Sequence, residues 1–223
     1  MKTKVLFLIY SLFIFGVLLF FNIGCKKDQT ENNTDQIERG TMTDIDGSVY
    51  VTVKIGTQWW MAENLKVTRY RNGDAIPAVT DSIDWCQLTS GASCYYQDDH
   101  DYLLKYGRFY NWYAVSDNRN IAPEGWHIPD ETEWNTLFNF FISNGFAGSP
   151  LKYSGYSGFN ALLDGVNFKN VSWNFTNFAT FFWSSTSHGP LKAWAHGMNE
   201  YLPSVSFYPG SRLNAFSVRC LKD

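Results

Sequence analysis

Residues 49–55 read Val-Tyr-Val-Thr-Val-Lys-Ile. This alternation puts Val49, Val51, Val53 and Ile55 on one face, and Tyr50, Thr52 and Lys54, with Ser48 before them, on the other. A period of two marks a half-buried strand, with the valine face expected inside. Gly56-Thr57 turns the chain into a second strand around Gln58–Met61, so the folded part opens with a hairpin. Beyond Pro129 the period changes. Asp130 and Glu133 have the spacing of a capping box, and Pro129 keeps the helix from starting earlier. Trp134, Leu137, Phe138, Phe141 and Ile142 then form one apolar helix face that Gly145 closes. The histidine and acids of "PEGWHIPDETEW" are therefore read as a helix start and not as a catalytic cluster. Phe109, Trp112, Tyr113 and Val115 form an aromatic stripe of the kind that belongs to a core. Short alternations return near the end: Trp194/His196/Met198 against Ala193/Ala195, Val205/Phe207 against Ser206/Tyr208, and Phe216/Val218/Cys220. Three or four terminal strands after one or two helices predict an α+β domain.

The start of the chain follows a different pattern. Lys2 and Lys4 precede an unbroken apolar run from Val5 to Phe21, which reads as an export signal over residues 1–24. About seventeen apolar residues only just reach the length of a membrane span. The "NIGC" that ends the run resembles a lipobox, which makes Cys25 the lipid-attachment residue and the membrane a partner through that anchor. Residues 25–43 include "KKDQTENNTDQIERGT", too polar to fold alone, and are expected to be a flexible tether to a domain over 44–223. Lys26 resembles the sorting signal for the outer membrane.

Composition narrows the picture further. The 223 residues are 45% hydrophobic, 18% aromatic and 17% charged, which suits one β-rich domain. Loss of Lys2 and Lys4 with the leader leaves 16 basic against 21 acidic residues, so nucleic acid is not an expected partner. With Cys25 acylated, Cys86, Cys94 and Cys220 remain, an odd number for an oxidising compartment. Cys86 and Cys94 bracket a loop of turn-forming residues and are the pair expected to bridge. Asp98, Asp99, His100 and Asp101 match no calcium loop and read as a solvated acidic turn. No cofactor or metal is expected: there is no Cys-x-x-Cys, no His-Glu-x-x-His and no Gly-x-Ser-x-Gly, and His100, His127, His188 and His196 are scattered.

Six segments in order, "DIDGSVYVTVKIGTQWWMAENL", "YGRFYNWYAV", "PEGWHIPDETEW", "SGFNALLDG", "FFWSST" and "FSVRCLKD", resemble the Fibrobacter succinogenes major paralogous domain family. The helix start and the final aromatic-x-Val-Arg-Cys segment also resemble, more distantly, the C-type-lectin-like fold of formylglycine-generating enzymes. That likeness implies a twisted antiparallel sheet with one or two flanking helices and long loops. The family resemblance also implies a cysteine just before "PEGWH" bridged to the last strand. Here that position is Ala122, which leaves Cys220 as a small buried thiol.

In such a fold the ligand surface comes from late loops and strands. The candidate ligand-binding residues are therefore Trp183, Trp194, His196, Asn199, Tyr201, Tyr208, Arg212 and Asn214. Aromatic faces stack on sugar rings while Asn and Arg bond hydroxyls. The expectation is an outer-membrane-anchored, non-catalytic recognition or adhesion protein that binds a glycan or a cell-surface protein. A structural subunit of the envelope is the alternative. An enzyme like the formylglycine generators is less favoured, since it requires two neighbouring reactive cysteines. Asp81-Ser82-Ile83 resembles a bacterial O-glycosylation site at Ser82.

Overall fold

The computed structural model describes residues 37–96, 99–142, 145–165 and 178–223. The leader, Cys25, most of the tether and Asp98 lie outside the described residues. Asp44 shapes the first turn, its carboxylate accepting from the backbone N–H groups of Asp46 and Ser48 and from the Tyr50 hydroxyl at 2.6 Å. This turn joins β1 (Arg39–Thr43) to β2 (Val49–Ile55), which pair antiparallel with Thr41 opposite Val51. Residues 39–43 are thus a strand and not the end of the tether. Their sequence carries little strand signal, and β2 supplies the pairing that orders them. Gly56, at φ +59°, then turns the chain into β3 (Gln58–Met61), as its sequence predicts.

The middle of the chain is a series of short pieces. These are α1 (Ser82–Cys86), β4 (Ser93–Cys94), α2 (His100–Tyr106), β5 (Phe109–Tyr110), α3 (Trp112–Val115) and β6 (Trp126–His127). They are followed by α4 (Glu131–Ile142) and α5 (Gly148–Leu151). An antiparallel meander, β7 (Ala179–Ser187), β8 (Lys192–Asn199) and β9 (Ser206–Ser211), comes next, and β10 (Leu221–Lys222) ends the order. Among the described residues β10 sits inside a five-stranded sheet of order β1-β2-β3-β10-β6, antiparallel throughout. Segregated antiparallel sheets and short helices make an α+β fold.

Apolar clusters cover both faces of this sheet. Tyr50, Met61, Trp126, Trp183 and Cys220 belong to one, and Val53, Ile55, Trp60, Trp134 and Phe182 to the other. The two clusters cover different ends of β2, so Tyr50 is buried while Val49 and Val51 face solvent. The expectation of a fully inward valine face is corrected there: only Val53 and Ile55 lie under α4 and its neighbours. Helix α4 itself follows the pattern at Trp134, Leu137, Phe138 and Phe141, but Ile142 is exposed, one position past the packed face. Phe109, Trp112 and Val115 are core as predicted, split between a strand and a four-residue helix instead of one helical stripe.

Candidate functional site

The residues predicted to form one ligand face do not share one surface. Trp183 is fully buried with its indole N–H on the Tyr110 carbonyl at 2.8 Å, and Asn214 is buried beneath β9. His196 is fully buried on β8, with Trp134 and Phe138 rings 5.0 Å away, Phe207 at 5.1 Å and the Glu131 carboxylate on Nε2 at 2.9 Å. Tyr208 packs half-buried against Phe181. Arg212 lies over the Trp112 ring at 4.4 Å and donates to the Ser187 hydroxyl and the Gly189 carbonyl. Trp194 is half-buried with its ring 4.4 Å from that of His188. Asn199 caps the turn after β8, accepting from the Tyr201 and Leu202 N–H groups, and Tyr201 is exposed beside Phe178. Trp183, His196 and Asn214 are buried, so their side chains present no surface to a ligand.

A concave surface forms next to that turn. A cleft of about 450 Å³ runs between the end of α2, the segment after α5 and Glu200. Its wall carries Tyr106, Tyr153, Leu162 and Leu163, with Lys105 and Glu200 at the rim. Tyr153 is 69% exposed, a ring face open to solvent. Lys105 lies 4.7 Å over the Tyr106 ring, and its hydrogen bond to Tyr106 raises the pKa of its ammonium. Lys152 fastens the cleft's far side: its ammonium donates to the carbonyls of Asn199, Glu200 and Leu202 at 3.1, 3.3 and 3.2 Å. Beneath, Tyr102 packs tilted against Tyr106 with centroids 4.3 Å apart, and its hydroxyl donates to the Asp164 carbonyl. Sequence reasoning missed these residues. The exposed tyrosines after Pro150 were the available signal.

The acids and histidine of residues 123–134 do what a helix start requires. Asp130 accepts from Glu133 N–H and Glu133 from Asp130 N–H, both at 2.9 Å, the reciprocal capping box. Glu133 also meets His127 Nε2 at 2.8 Å, while Asp223 meets His127 Nδ1 at 2.7 Å. Burial alone would lower the His127 pKa, but the two carboxylates outweigh it and the net shift is upward. Asp99 caps α2 and Asp81 caps α1, each accepting two backbone N–H groups on its carboxylate, which puts Ser82 at the exposed first turn of α1. No group of three or more metal-ligating side chains occurs among the described residues.

The cysteines are packed apart from one another's chemistry. Cys86 and Cys94 form no disulfide. Cys94 is turned inward on β4 among Trp85, Ala92 and Phe109, where burial pushes its thiol up, while Cys86 ends α1 half-buried. Asn111 holds the intervening loop instead, accepting from Ala92 N–H and donating to the Ser90 carbonyl. Cys220 is fully buried, and desolvation likewise raises its pKa.

A buried polar cluster joins three distant segments. Arg219 is wholly enclosed; it donates from Nε to Asn64 Oδ1 at 2.9 Å, from one terminal nitrogen to the Phe159 carbonyl and from the other to Asn160 at 2.9 Å. Asn64 in turn donates to Asp164 at 2.8 Å, and the Ser217 hydroxyl does so at 2.6 Å. Burial pushes the Asp164 carboxyl up to about 7, against the lowering effect of the Ser217 bond. The family model of the Fibrobacter succinogenes major domain matches residues 53–222. The chain belongs to this family. Neither a curated protein nor a solved structure matches it. Asn64, Phe159, Asn160, Asp164, Ser217 and Arg219 fall within three of the segments that carry the family resemblance, "MAENL", "SGFNALLDG" and "FSVRCLKD". In this chain parts of those three segments therefore meet in an interior polar knot. β1 and the start of β2 lie before the matched residues.

Proposed function

We propose that the chain is a lipoprotein anchored in the outer membrane through Cys25, whose lectin-like domain recognises glycans without catalysis. The tyrosine-walled cleft carries this reading: the open ring face of Tyr153, beside the half-buried Tyr106 and a few rim charges, is the mixture that sugar sites use. Burial of Cys94 and Cys220, which disfavours their thiolates, speaks against chemistry like that of the formylglycine generators. A glycan array probed with the mature chain carrying Cys25→Ser tests the proposal, with and without Ca²⁺. Retention of a defined set of sugars, reduced about fivefold by Tyr153→Ala, is expected, since one stacked ring contributes on the order of 1 kcal/mol. Absence of retained sugar, or turnover of a substrate that requires Cys220, overturns it. A second reading, a structural subunit of the envelope, is favoured by the exposed Phe140, Ile142 and Phe146 near the end of α4.

A further inference from the structure

We propose that the groove between the first hairpin and α2 binds an oxyanion, a carboxylate or sulfate, through Arg108 and Lys66. The groove is separate from the tyrosine cleft and also encloses about 450 Å³. Arg108 follows Gly107, whose φ is +78° and where a Cβ would come within 2.9 Å of Asn64 Cβ and of the Leu65 carbonyl oxygen. This close approach, with the Arg108 N–H on the Leu65 carbonyl at 3.0 Å, brings the backbone of residue 108 against residues 64–65, and Arg108 and Lys66 line the same groove. Nε and Nη1 of Arg108 are both removed from solvent, and neither has an acceptor among the described residues. Desolvated cationic N–H groups without acceptors are rare, because burial of such a donor is costly unless an acceptor meets it. The Tyr95 ring, 5.0 Å from the guanidinium carbon, holds the head in place without supplying a lone pair.

The rest of the groove fits the same ligand. The ammonium of Lys66 lies over the Tyr50 ring at 5.2 Å and makes no ion pair among the described residues. Ser48 and Thr68 add hydroxyls to the lining. The one carboxylate there, Asp46, is already engaged by Arg69 Nε at 2.6 Å, by Thr68 N–H and by the Thr68 hydroxyl. Burial works to raise its pKa, but these bonds hold it below the usual carboxylate range, so it stays committed to them as an anion. Two cations facing one groove stand out on a chain whose formal charge is −3. Leu103 and Leu104 form an apolar wall. A bare ion has no use for such a wall, whereas the C–H face of an acidic sugar does, so the natural carrier is a uronic acid or a sulfated sugar; that last step rests on the glycan reading above.

The test uses the mature chain with Cys25→Ser and follows the Arg108 Nε–Hε resonance by NMR during titration with inorganic sulfate, acetate, D-glucuronate and D-glucose. Saturable shifts with sulfate, acetate and glucuronate but not with glucose are expected. Lys66→Met should weaken them about tenfold, the value of one charge-assisted contact. Arg108→Lys, which keeps the charge, should retain part of the binding as read from the Thr68 amide, and Arg108→Met should abolish it. If no anion moves the Arg108 resonance, or if Lys66→Met binds as the parent does, the site is overturned. Glucuronate binding no tighter than acetate overturns the sugar as carrier. Loss of neutral-sugar binding in Tyr153→Ala reports on the other cleft, so the two proposals fail separately.

Discussion

Ala122 and Cys220 lie in the same buried cluster, so a methyl group and a thiol pack where the family resemblance implies a covalent bridge. Ala122→Cys is expected to restore that bridge. Thiol counting on the denatured variant, freed of Cys25 and purified under oxidising conditions, should find two reactive thiols and not four, with the melting temperature raised; closure of so long a loop is worth up to about 4 kcal/mol. The cysteines also show the limit of reading residues singly. Cys86 and Cys94 have a plausible loop spacing, but spacing carries no information about where a thiol points, and strand β4 turns Cys94 into the core. The aromatic and polar character that marks Trp183, His196 and Asn214 as ligand residues serves equally well in a hydrogen-bonded interior. Arg108 left no such trace in the sequence, since its interest lies in partners it lacks.

At the scale of elements, legibility follows locality. The start of α4 was readable because its cap is made within four residues, from Asp130 to Glu133. Asp130→Ala should lower stability by about 1 kcal/mol in urea unfolding, an ordinary cap loss. Strand β1 was not readable because its order comes from β2, and the exposure of Val49 and Val51 depends on which cluster covers which end. His127 ties β6 both to α4 through Glu133 and to Asp223 beyond β10. Its folded pKa is raised, so its stabilisation is complete below the unfolded value of about 6.5 and disappears as pH climbs through the folded value. The imidazole is about one-third exposed, so solvent screening keeps the effect below about 1 kcal/mol. His127→Gln should remove that slope between pH 6 and 8 and leave stability at pH 8 nearly unchanged.

For the whole molecule, the knot of Arg219, Asn64, Ser217 and Asp164 was the part least visible in advance, although every member stood in a recognised segment. Contacts across such distances in sequence leave no periodic mark. Its consequence is measurable. Asp164 titrates near 7 in the folded state against about 4 when unfolded, so between those values the native protein holds a proton that the unfolded chain releases. Stability therefore falls as pH rises from about 4 to about 7, by on the order of a few kcal/mol. Asp164→Asn, which keeps an acceptor for Asn64 and Ser217, should flatten that fall in denaturant titrations across the range; an unchanged slope would assign it elsewhere.

The place of β10 between β3 and β6 has a consequence for how the protein is made. β3 and β6 are synthesised long before the segment that must slot between them. Until Leu221 emerges, Trp60 has no cross-strand neighbour on its open side and the backbone of β3 stays unpaired along that edge. The sheet therefore cannot close before Leu221 is made, and in that interval the open edge of β3 is available to any other strand.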